Sequence, residues 1–217
     1  MSLSNDSVLN VLRNQFVCGY RNISGEPYAG KSGKHETDGQ AIVTTNGAGP
    51  HNVQLFVLSE EGVVEHALLG FWDARDLLWE IRFAQGMNRL WHTSAKSEGD
   101  KRKEFQRANL LAIRQLPLDM VARSHLQGFD AKKELKEAAS DFRYKPGDYH
   151  PPVHMKKHDN LKSTVQVIHE RMAQRPFVTY EEFDVADFAE YGKQRYDKKE
   201  DMRDIRTGKK KAALKVW

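Results

Sequence analysis

The stretch from Asn52 to Leu69 admits few conformations. Asn52-Val53-Gln54-Leu55-Phe56-Val57-Leu58 and Val63-Val64-Glu65-His66-Ala67-Leu68-Leu69 are two apolar runs separated by the polar Ser59-Glu60-Glu61-Gly62. Runs of this length joined by a four-residue turn ending in Gly predict an antiparallel hairpin. Gly70-Phe71-Trp72 closes it. Asp73 can then cap a helix whose apolar face is Leu77, Leu78, Ile81 and Phe83 or Ala84, with Gly86 as the stop signal.

Other elements follow from the same rules. Ser4 to Ser7 offer N-caps for a short amphipathic helix over 6–15, with Val8, Leu9, Val11 and Leu12 at helical spacing. Phe16-Val17-Cys18-Gly19-Tyr20 reads as a strand leaving it. From Ser24 to Pro50 glycines and polar residues dominate, and only Gln40 to Thr45 is long enough for another short strand. Downstream the pattern is helical over 100–116, from Pro117 towards Gly128, over 131–139, over 161–174 and over 185–195. Within 161–174, Leu161, Val165, Ile168 and Met172 mark the buried side.

With 217 residues, 39% hydrophobic and 29% charged, the chain has material for a core beside much solvated polypeptide. No apolar run is long enough for a transmembrane helix, and the N-terminus has no basic, apolar leader pattern. The expectation is a soluble, cytoplasmic protein, unless the chain is a fragment lacking an upstream signal. One cysteine, Cys18, excludes an internal disulfide and a cysteine-rich zinc module. Charge is uneven: residues 1–91 carry 7 Lys and Arg against 10 Asp and Glu, and 92–217 carry 27 against 20. The expected division is 1–91 as an α/β core, 92–145 as a helical extension, and 146–217 as loop, helices and a basic tail.

The order of helix, Phe16–Tyr20, hairpin, Gly70 and closing helix over about 8–84 resembles the later part of the thioredoxin-like superfamily, and Gly70-Phe71-Trp72-Asp73-Ala74-Arg75-Asp76-Leu77-Leu78-Trp79-Glu80 is similar to its junction between strand and last helix. The resemblance implies an α/β, incomplete or variant thioredoxin-like fold with a mainly helical C-terminal extension. It also implies what is missing. Redox chemistry in that family needs a Cys-x-x-Cys pair, one thiolate to attack and a second thiol to resolve. This chain has only Cys18, expected as a small buried hydrophobe within its strand. The family's active-site proline would fall near Asn52 or Val53, where the nearest is Pro50.

Four local patterns bear on chemistry. Gly25-Glu26-Pro27-Tyr28-Ala29-Gly30-Lys31-Ser32 matches the phosphate-loop spacing, but no helical face follows it, and Pro27 removes a donor, so it reads as a loop. His150, His154 and His158 recur every four residues near Met155 and Asp159, a donor set for copper, zinc or nickel, although Pro151-Pro152 interrupts a common helix face. His169-Glu170 on the next helix could join them. The tail from Ile205 to Trp217 holds Arg206, Lys209, Lys210, Lys211 and Lys215 and no acid, able to meet phosphate or acidic partners. The aromatics from Phe177 to Tyr196 are interleaved with acids as often as bases, which favours wrapping the domain over stacking on nucleic acid.

The expected function is a non-redox binding or scaffold module with a protein partner, no membrane and no cofactor. Nucleic acid enters only through the basic tail. The alternatives are a single-cysteine thiol oxidoreductase using Cys18, and a metal-binding protein through His150, His154 and His158.

Overall fold

The computed structural model describes residues 2–29, 37, 45–47, 53–93, 95–140 and 161–194, with backbone alone at 135–140 and 194. The described chain forms two compact units, one from 1–126 with 162–189 and one from 127–161 with 190–217. Helices on either side of residue 91 share one core with the hairpin.

In the first unit, a 3-10 turn at Ser2–Ser4 leads to α1, Asp6–Gln15. Asn5 caps it, its side chain accepting from the N–H groups of Ser7 at 3.1 Å and Val8 at 3.4 Å. Val8 is fully buried. Among the described residues, no strand pairs with Phe16–Tyr20. Val17 and Tyr20 are fully exposed. Apolar composition alone does not make a strand where no neighbour takes up its N–H and C=O groups.

The hairpin forms as expected, with β1 at Gln54–Leu58 and β2 at Val64–Leu69, antiparallel. Gly62 takes φ 79° in the turn, a conformation Gly adopts without a Cβ penalty. Leu58 faces Val64 and Val57 faces His66, so Glu65 is the extra residue of a bulge. Every residue of β2 is buried. Part of the cover comes from 178–180, where the N–H of Val64 donates to the Val178 carbonyl at 2.8 Å and that of Tyr180 to the Gly62 carbonyl at 2.8 Å.

Helix α2, Ala74–Trp91, starts at Asp73, whose carboxylate accepts from the Arg75 N–H at 2.9 Å. It does not stop at Gly86. An interior Gly costs about 1 kcal/mol against Ala, but the apolar face continues through Met87, Leu90 and Trp91 into the core, and that burial outweighs the glycine. Then come α3 at Glu98–Gln115, α4 at Leu118–Ala122 after Pro117, and, later in the chain, α6 at Thr164–Ala173 and α7 at Val185–Ala189. No described helix is long and apolar enough to cross a membrane.

The second unit contains α5, Gly128–Ser140, and α8, Tyr191–Gln194. Their contact requires Gly192, because a Cβ there would lie 2.4 Å from the Phe129 carbonyl carbon and oxygen. The Gly192 N–H also donates to Asp130 at 2.7 Å. The single helix expected over 185–195 is thus divided at Glu190.

Gly47 makes a comparable close approach in the first unit. It has φ 71°, its N–H donates to the Phe71 carbonyl at 2.7 Å, and a Cβ would lie 2.3 Å from Thr164 Cγ2. Gly47→Ala is expected to cost about 1–3 kcal/mol through backbone strain and overlap. A urea unfolding midpoint equal to the parent's would refute this.

Candidate metal centre

β2, α2 and α6 each send one ionisable side chain to the same point. His66 Nε2 lies 2.7 Å from Glu80 Oε2, and His169 Nε2 lies 3.4 Å from that same oxygen. All three side chains are completely buried, and one ligand atom from each falls within 4.8 Å of the others. The imidazoles stack with centroids 5.4 Å apart and planes 27° apart. Half-buried Phe83 sits edge-on to both, at 4.7 Å from His169 and 5.4 Å from His66, and Trp79 stands 6.0 Å from His169.

Local chemistry fixes these positions. The Asp73 cap and the Trp72 indole N–H, donating to the Leu69 carbonyl at 3.0 Å, set the start of α2 against the end of β2. Ser163 and Gln166 form a reciprocal capping box at the start of α6, setting the phase on which His169 points inward. The far side of His169 is held by α3, where Asn109 Oδ1 lies 2.9 Å from its Nδ1.

The electrostatics are those of a buried anion between two imidazoles. Burial alone would push the Glu80 carboxyl up; the neighbouring His169, and then the hydrogen bond from His66, reverse this and hold it at about 2. Burial is the main cause that lowers His66 below its ordinary value, against the pull of Glu80. Three buried atoms in the cluster make no hydrogen bond: His66 Nδ1, Glu80 Oε1 and His169 Nε2. Such atoms are costly unless something else satisfies them.

Next to His66, the bulged Glu65 is buried and accepts a hydrogen bond from Asn88 at 2.5 Å. Burial raises its carboxyl to about 7, opposed by Asn88 and reinforced by Glu61. Its folded value lies above the ordinary 4.5, so the unfolded chain ionises first, and stability is lost as pH rises from 4.5 through 7. Glu65→Gln is expected to remove that decline, leaving the variant on the order of 2–3 kcal/mol more stable relative to the parent at pH 8 than at pH 4.5. Urea midpoints at pH 4.5, 6 and 8 check this, and parallel profiles for both chains would contradict it.

The residues singled out in the sequence fare differently. Cys18 is exposed rather than a buried strand residue, because Phe16–Tyr20 is not a strand; its Sγ lies 3.8 Å from the Leu12 carbonyl oxygen. His150, His154, His158 and the basic tail lie outside the described residues, as does the phosphate-loop pattern from Gly30 on. His169, considered only as an accessory to that histidine run, meets Glu80 and His66. A second convergence of Glu60, Glu61 and His92 is exposed. Glu61 there is held by Ser59 and by the Trp91 indole N–H at 2.9 Å, which keep its carboxyl below the usual range.

His66 and Glu80 were passed over in the sequence, yet they carried a signal. Glu80 interrupts the apolar face Leu77, Ile81, Ala84, and Glu65-His66 interrupts an apolar strand. No protein-family model, curated protein or solved structure matches this chain.

Proposed function

We propose that the first unit binds one divalent first-row transition-metal ion through His66, Glu80 and His169, and that the ion's role is structural. The carrying observation is that three completely buried ligand-type side chains converge while Glu80 Oε1 and His169 Nε2 make no hydrogen bond. Two imidazoles and a carboxylate suit zinc, iron, cobalt or nickel better than the harder magnesium or calcium. Bonds of 2.0–2.2 Å in a tetrahedral site place neighbouring donors about 3.3 Å apart. The His169–Glu80 separation of 3.4 Å already has that value, and the 2.7 Å His66–Glu80 contact opens to it when an ion replaces the shared hydrogen. Glu80 Oε1 supplies a fourth donor if the carboxylate binds through both oxygens. His66 Nδ1 has no hydrogen-bond partner, so outer support comes from the His169 side.

Enclosure on this scale leaves no ligand position facing solvent, so the ion clips β2 to α2 and α6 instead of handling a substrate. The non-redox binding or scaffold role expected from the sequence is compatible with such a clip. Cys18 is the chain's one cysteine, and dithiol exchange needs two; disulfide reductase turnover by the purified chain would defeat that part of the proposal. The thioredoxin-like resemblance over residues 8–84 is kept as a proposal: the order α1, hairpin, α2 agrees with it, whereas Phe16–Tyr20, on which it also rests, is not a strand.

The test is metal content after chelator stripping, incubation with zinc and desalting. Full-length parent and the H150A/H154A/H158A triple variant are expected to retain about one ion per chain, and Glu80→Gln and His169→Gln to retain much less. A parent that retains no ion, or a Glu80→Gln variant that retains as much as the parent, overturns the proposal; loss in the triple variant alone moves the site to those histidines.

A further inference from the structure

Asn109 lies on α3, completely buried, 60 positions away in sequence from the residue it touches. Its amide can point only one way. Nδ2 donates to the Phe105 carbonyl one turn back at 3.1 Å, leaving Oδ1 to face His169 Nδ1 at 2.9 Å. The reverse orientation would set Oδ1 against the Phe105 oxygen and an N–H against the ring nitrogen that must then give up its own hydrogen. An amide oxygen only accepts, so His169 Nδ1 carries the hydrogen.

The consequence falls on the other side of the ring. A neutral imidazole protonated at Nδ1 has its lone pair at Nε2, and this nitrogen makes no hydrogen bond while standing 3.4 Å from Glu80 Oε2. With Nε2 deprotonated, its lone pair and the Glu80 oxygen face one point, and a cation placed there is bonded by both. Metal-ligating histidines commonly donate their second ring N–H to a fixed oxygen, which sets the tautomer and the ring angle.

We infer that Asn109 is the positioning residue of the proposed metal centre: by accepting from His169 Nδ1–H it directs the Nε2 lone pair at the ion and sets the centre's affinity. This rests on His66, Glu80 and His169 being the ligands. Asn109 does not touch the ion. The inference separates it from ordinary core packing, because only the acceptor oxygen, and not the volume of the side chain, carries the effect.

Cobalt(II) is the probe, titrated into the stripped full-length chain and followed by its visible absorption, with zinc competition for affinity. Asn109→Leu keeps the volume and removes the acceptor, and is expected to weaken binding roughly 10- to 100-fold. Asn109→Asp keeps an acceptor oxygen and is expected to bind as tightly as the parent or more tightly, although a buried carboxylate is the harsher change for packing. Equal affinity in parent and Asn109→Leu overturns the inference and leaves the metal centre standing; so does an Asn109→Asp variant weakened as much as Asn109→Leu. No cobalt binding by the parent defeats the centre itself. Nitrogen-15 imidazole spectra of the metal-free parent provide a reading independent of any variant's folding. They are expected to show His169 protonated at Nδ1, and protonation at Nε2 alone overturns the inference.

Discussion

His66→Ala is expected to cost the metal-free protein about 3–5 kcal/mol of folding free energy, enough to consume much of the roughly 5–15 kcal/mol that holds a typical domain together. The substitution removes the 2.7 Å contact to Glu80 and leaves the buried carboxylate facing His169, which makes no hydrogen bond to it. It also opens a cavity beside Phe83, 5.4 Å from the missing ring. The double variant His66→Leu with Glu80→Leu removes charge and partner together and is expected to recover most of the loss, since apolar groups of similar size replace a buried pair at little cost. Chemical denaturation of the parent, His66→Leu, Glu80→Leu and the double variant gives the coupling energy. Additive single costs, with no recovery in the double, would show that the pair is not electrostatically linked.

Acid is expected to unfold the chain well before its surface charge alone would. Glu80 is held at about 2 against an ordinary 4.5, so its contribution is complete above 4.5 and is lost as pH falls from there towards 2. The sign is the same for His66: its folded value is depressed below 6.5, the unfolded chain takes the proton first, and stability falls as pH drops below 6.5. Glu65 opposes this between 4.5 and 7, so the steep limb begins below about 4.5. The Glu80 share is on the order of 3 kcal/mol. Glu80→Gln, less stable than the parent at neutral pH, is expected to lose less further stability between pH 5 and 3. Metal competes with these protons, and a zinc-loaded parent should show a steeper limb than the stripped one. Identical acid profiles for parent and Glu80→Gln would remove Glu80 from the account.

How far the site was legible can be judged residue by residue. Glu80 falls on the buried face with Leu77, Ile81 and Ala84; His169 lies one turn after Val165, and Asn109 one turn after Phe105. Each is a polar residue on a face that helical spacing marks as apolar, and such interruptions point to a buried partner. The spacing of His150, His154 and His158 was the more conspicuous pattern, because four-residue recurrence is visible along the chain while convergence from separate elements is not.

Local rules were enough for α1 and its polar start from Ser4 to Ser7, for the hairpin and its Gly62 turn, for the Asp73 cap and for most of α3 and α6. Those features depend on neighbours within a turn of helix or a strand pair, and the residues that decide them are adjacent in the chain. Three things needed the tertiary structure. Phe16–Tyr20 had strand composition, yet no described strand pairs with it, and Cys18 is exposed in consequence. Gly86 had the character of a stop, but core burial of Met87 carried α2 past it. And His66 meets Glu80 across 14 positions, as His169 meets Asn109 across 60, only because β2, α2, α3 and α6 close on one core. Periodicity tells which face of an element is buried; what that face is buried against is set by the packing of all of them together.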